Sequence, residues 1–89
     1  SKIPMVLVLE IIGHVGRDPE EHEHTDGRMW YSFSVSHSVK TRKTNEKGQA
    51  IYDTTWVNCT YWSSEEGVAP RVMEYVKKGG IVRLSGTPK

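Results

Sequence analysis

Twelve residues constrain this chain more than any others: Ile51 to Trp62, IYDTTWVNCTYW. On a strand, successive side chains point to opposite faces. Tyr52, Thr54, Trp56, Asn58, Thr60 and Trp62 then share one face, and Ile51, Asp53, Thr55, Val57, Cys59 and Tyr61 the other. The second set carries Val57, Cys59 and Tyr61, enough to seat the strand on a core. The first set carries two indoles and a phenol among small polar groups. At about 3.3 Å per residue, Trp56 and Trp62 stand roughly 20 Å apart. Flat rings spaced along a polar strand suit the stacking of unpaired bases. The alternative is an aromatic strand buried on both faces.

A chain of 89 residues with 36% apolar side chains has one modest core, so a single domain is expected over residues 1–89. Charged residues make up 26% and the formal net charge is +1. That balance argues against a wholly electrostatic nucleic-acid binder but is compatible with a local basic groove. No stretch nears the roughly 20 apolar residues of a membrane span, so no membrane association is expected. The apolar run from Met5 to Val8, continuing to Ile12, is broken by Glu10 and lacks a cleavage-type small-residue site; it predicts a strand, not a signal peptide. The single cysteine, Cys59, excludes an internal disulfide and fits a reducing, cytoplasmic compartment. On the core phase of its strand it predicts an inert thiol.

Pro4 cannot donate to a ladder, so the first strand is expected after it, over Met5 to Val15. Both phases of that strand are apolar, as in a strand covered on both faces or paired with another subunit. Gly13 and Gly16 mark a bulge or tight bend near its end. Arg17 to Gly27 is an acidic loop ending in the hairpin signal Asp26-Gly27. His22 and His24 lie in that loop; their spacing matches no closed metal-ligand set, and surface positions are expected. Arg28 to Lys40 alternates cleanly, with Met29, Tyr31, Phe33 and Val35 inward and Trp30, Ser32, Ser34, Ser36 and Ser38 outward. A row of small hydroxyls beside Trp30 leaves room for something to lie on the sheet, or is a plain solvated face. Val39 to Ala50 is the most basic run, with Lys40, Arg42, Lys43 and Lys47 against one acid, Glu46. A mobile basic hairpin loop of this kind can wrap a phosphate backbone, and it joins the two strands that carry all three tryptophans. Val68, Val72 and Val76 recur every four residues after Ser63-Ser64-Glu65-Glu66, Pro70 suits a first helical turn, and Gly79 follows Lys77-Lys78. One helix is predicted from about Ala69 to Lys78. Ile81 to Gly86 then reads as a strand with Val82 and Leu84 inward.

Strand, hairpin strand, strand, helix, strand is the element order of an OB fold, an all-β Greek-key barrel of five strands with one helix. The wording of several segments points the same way. Gly13-His14-Val15-Gly16-Arg17-Asp18-Pro19-Glu20 resembles the opening of bacterial single-stranded-DNA-binding proteins. Asp26-Gly27 with Phe33-Ser34-Val35 resembles their second strand, and Thr54-Thr55-Trp56 their Thr-Glu-Trp segment. Glu74-Tyr75-Val76-Lys77-Lys78-Gly79 is similar to their helix end, and Val82-Arg83-Leu84-Ser85-Gly86 to the strand after it. The resemblance implies a non-enzymatic homo-oligomer that wraps single-stranded DNA in replication, repair or recombination, in the bacterial cytoplasm around the nucleoid, with no cofactor. It assigns stacking to Trp56 and Trp62 and DNA wrapping to the basic loop. Departures are visible too. Lys40 and Thr41 stand where the family often has a stacking Trp, and Trp30 where it usually has a small aliphatic residue. Ser63 to Glu65 looks like a short insertion. The family's final strand, a further aromatic and the acidic tail that recruits replication and repair proteins find no match before Lys89. The expectation is therefore an open barrel completed by a partner subunit, at least as a dimer, or a piece of a longer chain.

Residues and resemblance together give one leading expectation: sequence-tolerant single-stranded DNA binding. Bases would stack on Trp56, Trp62, Trp30 and Tyr52, and Lys40, Arg42, Lys43 and Lys47 would track phosphates. The alternative is an OB-type protein-interaction or replication-restart subunit whose aromatics form an interface core. The basic loop beside the rings separates the two, since an apolar interface has no use for it. No Ser/His/Asp or Cys/His set falls on one face and no phosphate loop is present, so no enzyme is expected. A hydrolase on His14, His22 and His24 is the weakest of the classes.

Overall fold

The computed structural model describes residues 3–66 and 70–89, with main chain only at 65 and 66. Among these are five strands: β1 (Leu9–Val15), β2 (Glu20–Glu23), β3 (Arg28–Thr44), β4 (Ala50–Glu66) and β5 (Ile81–Gly86). All pairings are antiparallel. One run of neighbours is β2-β3-β1-β5, and β4 also pairs with β3. β3 is long enough to serve three partners: β2 along Met29 to Ser32, β1 at Val35 and Ser36, and β4 along nearly its whole length. The result is the curled half-barrel of an OB fold. β1 crosses β3 closely at Gly13, where a Cβ would overlap the Ser36 carbonyl.

The alternation of β3 decides which way the sheet curls. Tyr31, Phe33 and Val35 are buried, and Val15 and Val76 join them from outside that strand. Ile11, Cys59, Met73, Val82 and Leu84 pack around the edge of this cluster. The core is small, as the chain length requires. It reaches only the middle of β4, so Val57 and Cys59 are half-buried while Tyr61, on the same phase, stays 41% exposed. Burial pushes the Cys59 thiol up, which keeps it protonated and inert. At the other end Tyr31 donates to Glu21 Oε2 at 2.8 Å, and burial followed by that carboxylate pushes the phenol up.

Several expectations change. Ordered pairing in β1 begins at Leu9, opposite Gly86, and not at Met5; residues 5–8 lie outside any strand and are exposed, with no pairing to β5. The acidic loop 17–27 contains a strand, β2, whose backbone finds a free edge of β3. The predicted helix is a single 3-10 turn, Arg71–Tyr75, preceded by Pro70 in an extended conformation. Ala69, where that prediction begins, and Val68 of the valine spacing lie outside the described residues. Val76 is buried but Val72 is 46% exposed, so the four-residue spacing does not form one apolar stripe. β-branched valines are poor helix formers, and a turn of five residues next to Gly79-Gly80 has too little length to recover nucleation. Lys77 and Lys78 fall beyond the turn; Lys78 N donates to Asp18 Oδ1 at 2.8 Å, tying the exit of β1 to the entry of β5. The segment Ser63 to Glu65, which resembles a short insertion, is part of β4, and Ser63 is buried.

Candidate nucleic-acid interface

The outer face of the β3–β4 ribbon collects the residues that alternation assigns to it. Cross-strand pairs run Trp30–Trp62, Ser32–Thr60, Ser34–Asn58, Ser36–Trp56, Ser38–Thr54 and Lys40–Tyr52. Rings thus stand at both ends and in the middle, separated by rows of small polar side chains. Ser38 Oγ and Thr54 Oγ1 bond to each other at 2.9 Å. A shallow groove where Arg17, Asp18 and Glu20 meet residues 32–34 and 58–60 lies between the Trp56 and Trp62 rows.

Trp56 is the open ring. It is 59% exposed and lies over the end of β1. A Cβ at Gly16 would come within 2.7 Å of its Cζ3 and 2.9 Å of Ser34 Oγ, so the missing side chain at Gly16 is the floor on which the indole rests. Tyr52, 56% exposed, stands opposite Lys40.

Trp62 and Trp30 are arranged differently. Their rings are stacked with centroids 5.8 Å apart, and His22 from β2 stacks on Trp30 at 4.0 Å. The three rings form a row across β2, β3 and β4. His24 meets Trp62 edge-on at 5.4 Å, and the Arg28 guanidinium lies 5.0 Å from its centroid. His22 is fixed further by a 3.0 Å hydrogen bond between Nε2 and Ser32 Oγ. Trp62 remains 39% exposed and Trp30 is half-buried. Trp30 thus lies between His22 and Trp62 in the ring row.

The turn beside this row is held by Asp26. Its Oδ1 accepts the Arg28 main-chain N at 3.0 Å and lies 3.1 Å from His24 Nδ1; its Oδ2 accepts Arg28 Nε at 2.8 Å. Gly27 closes the turn at φ 88°. Hydrogen bonding to the Arg28 main chain, then to the Arg28 and His24 side chains, lowers the carboxyl to about 2.

The basic run is more ordered than a loop. β3 continues to Thr44 and β4 begins at Ala50, so Lys40, Arg42 and Lys43 ride on a projecting hairpin arm. Asn45 ties the turn: its Oδ1 accepts from the N–H of Lys47 and of Gln49, both at 2.9 Å, and its Nδ2 donates to Gln49 Oε1. Thr41 Oγ1 donates to the Ile51 carbonyl at 2.7 Å. Lys40, Arg42, Lys43 and Lys47 are all exposed. The regularity follows from Asn45 and Gly48, whose turn lets the arm's strands pair again beyond the irregularity between Lys40 and Thr44.

Alternation identified the face but not the roles of His22, Arg28 and Gly16. His22 and Arg28 become visible only once β2 is recognised as a strand, since that brings His22 opposite Trp30.

Comparison with known proteins identifies the family. Residues 6–88 match the Single-strand binding protein family. A protein of Neisseria meningitidis serogroup B named single-stranded DNA-binding protein is 37% identical over 76 residues, which is 85% of this chain and 41% of that protein. One of Rhizobium meliloti with the same name is 33% identical over 76 residues, 85% of this chain and 42% of its own length. A Synechocystis relative, single-stranded DNA-binding protein 1, is 26% identical over 81 residues. The chain spans about two fifths of the length of the first two.

Proposed function

This chain belongs to the single-strand binding protein family, and we propose that it binds single-stranded DNA without sequence preference, by stacking bases on its outer face and tracking phosphates along the β3–β4 arm. The observation that carries this is Trp56: a large ring, more than half exposed, seated on Gly16 among serines and threonines. An indole left open in that way has a free π-face for a base. Trp62 with Trp30 behind it, and Tyr52 beside Lys40, extend the same track. The cations Lys40, Arg42, Lys43 and Lys47 lie on the arm that continues this face. Charge on the arm favours DNA over an apolar protein interface, whose core is depleted in such residues. The activity is binding, with no bond made or broken, in replication, repair or recombination near the nucleoid.

Tryptophan fluorescence titrated with oligo-dT tests it. Quenching that saturates, with duplex of the same length binding far more weakly, is expected. Equal affinity for single and double strands would leave only a basic surface.

The same reading includes self-association. Met5, Val6 and Leu7 are each more than 70% exposed, and main-chain groups of β5 away from β1 form an edge among the described residues. Exposed apolar strand residues beside a free edge favour strand pairing between copies. At least a dimer is expected by light scattering at micromolar concentration. A monomer with amide protection along residues 7–12 would defeat it.

A further inference from the structure

We infer that Arg28 is a phosphodiester contact of the single strand, held in place by Asp26, and that it serves the nucleotide stacked at Trp62. This rests on the proposal that the outer face binds single-stranded DNA. Three observations converge on it. The guanidinium lies 5.0 Å from the Trp62 centroid. Its Nε is fixed on Asp26 Oδ2 at 2.8 Å, and its main-chain N on Oδ1 of the same carboxylate. Its side chain is nevertheless 47% exposed.

A guanidinium placed against an aromatic ring still has N–H donors directed outward in its own plane. The ion pair with Asp26 runs through Nε, so the terminal nitrogens are the ones available to an incoming acceptor. A phosphate is the natural planar-fork partner of those donors. A nucleotide whose base meets the Trp62–Trp30 pair brings its phosphates to the rim of that pair, where Arg28 stands. The surroundings make the role specific. On β2 alongside, Glu20 shares this face with His22, while Glu21 and Glu23 fall on the opposite phase beside Tyr31 and Met29. Arg28 is the only Lys or Arg among the described residues whose charge lies against a ring. The arm cations stand at the other end of the ribbon, ten or more pairs away from Trp62 along β3 and β4. One strand engaging both ends would thus be held by the arm at one side and by Arg28 at the other. Asp26 is the positioning residue. Its carboxyl, lowered to about 2 by the Arg28 main chain first, is ionised at neutral pH and available to pair with Arg28.

The test uses Arg28→Gln, Arg28→Lys and the double variant Asp26→Asn/Arg28→Gln, with oligo-dT affinity measured across a salt series. Arg28→Gln should bind about tenfold more weakly, the loss of one charged hydrogen-bonding contact. Its log–log salt slope should flatten by about 0.7, one phosphate contact on a single strand. Arg28→Lys should keep the slope and lose part of the affinity, because a point charge replaces the planar fork. The double variant should keep the loss and the flatter slope. If it regains the affinity of the parent, the loss came from an unpaired Asp26 carboxylate repelling DNA, and the inference fails. Tighter binding by Arg28→Gln also overturns it, since Arg28 would then be a cap that bases displace from Trp62. Circular dichroism confirms the fold of each variant. Trp56→Ala run in parallel separates the two proposals: if it too leaves affinity unchanged, the stacking face itself is wrong, whereas a Trp56 effect with no Arg28 effect removes Arg28 alone.

Discussion

The two ends of the β3–β4 ribbon solve opposite problems with the same two strands. At the arm end, Lys40, Arg42, Lys43 and Lys47 are exposed, and Tyr52 stands opposite Lys40. Order there comes from polar bonds around Asn45 and Thr41. At the corner end, His22, Trp30 and Trp62 pack against one another, beside a turn in which Asp26 pairs with Arg28. Trp56 sits between them, free of both. The difference separates affinity from stability. Arm residues touch little and are available for a ligand. Corner residues are committed to each other first, so their removal is felt by the fold as well as by the ligand.

The sharpest way to break this comparison is at the arm. Replacing Lys40, Arg42, Lys43 and Lys47 together by Gln should flatten the log–log salt slope of oligo-dT binding by roughly two to three units, at about 0.7 for each phosphate released. The thermal midpoint should barely move, because surface charges of this kind contribute little to folding. A large fall in stability would mean that the arm is part of the folded body.

The rings come next. Trp56→Ala should cost about 1–3 kcal/mol of binding and leave stability nearly unchanged. Trp30→Ala should show the reverse, losing about 0.5–1.5 kcal/mol of stability from the aromatic pair, with a smaller effect on affinity. Trp62→Ala should lose both. Chemical denaturation alongside fluorescence titration measures each. Equal binding losses at Trp30 and Trp56 would erase the distinction between corner and centre.

Gly16→Ala probes the centre without touching a ring. The added methyl would push against Trp56 Cζ3 and Ser34 Oγ, so the indole must tilt away from its floor. Binding should weaken by a few fold, less than in Trp56→Ala, and the tryptophan emission should shift. Unchanged emission and affinity would show that the ring does not depend on that floor.

The faces of β3 and β4 were legible because strand period is indifferent to everything except parity. The identity of neighbours was not. Carrying the Thr44–Ala50 pairing along in step would bring Trp30 opposite Ser64; the irregularity between Lys40 and Thr44 shifts the register by two and brings it opposite Trp62. An even shift preserves every face and changes every partner, so Trp30 was correctly placed outward and its packing role was invisible. β2 is hidden in the sequence for a related reason. Glu20 to Glu23 has no apolar alternation, and it is a strand because β3 presents an unpaired edge to it. The valine spacing suggests a helical stripe, but the turn is five residues long, bounded by extended Pro70 and Val76.

Asp26 gives the smallest effect and the most direct test of what holds the corner together. Its carboxyl is lowered from an ordinary value of 3.8 to about 2 by the Arg28 main chain first and by the Arg28 and His24 side chains after it. A group that ionises more readily in the folded chain than in the unfolded one stabilises the fold above its unfolded value. That contribution is lost as pH falls through the folded one. The window is therefore about pH 4 down to 2, and the sign is loss of stability with acid. Asp26→Asn retains one acceptor for the Arg28 N–H and loses the charge. It should start slightly less stable at pH 7 and show a shallower decline across that window, so the two curves of thermal midpoint against pH converge at the acid end. Parallel curves would mean that Asp26 has no folded-state partner worth a proton, and that Trp62 is held by its ring neighbours alone.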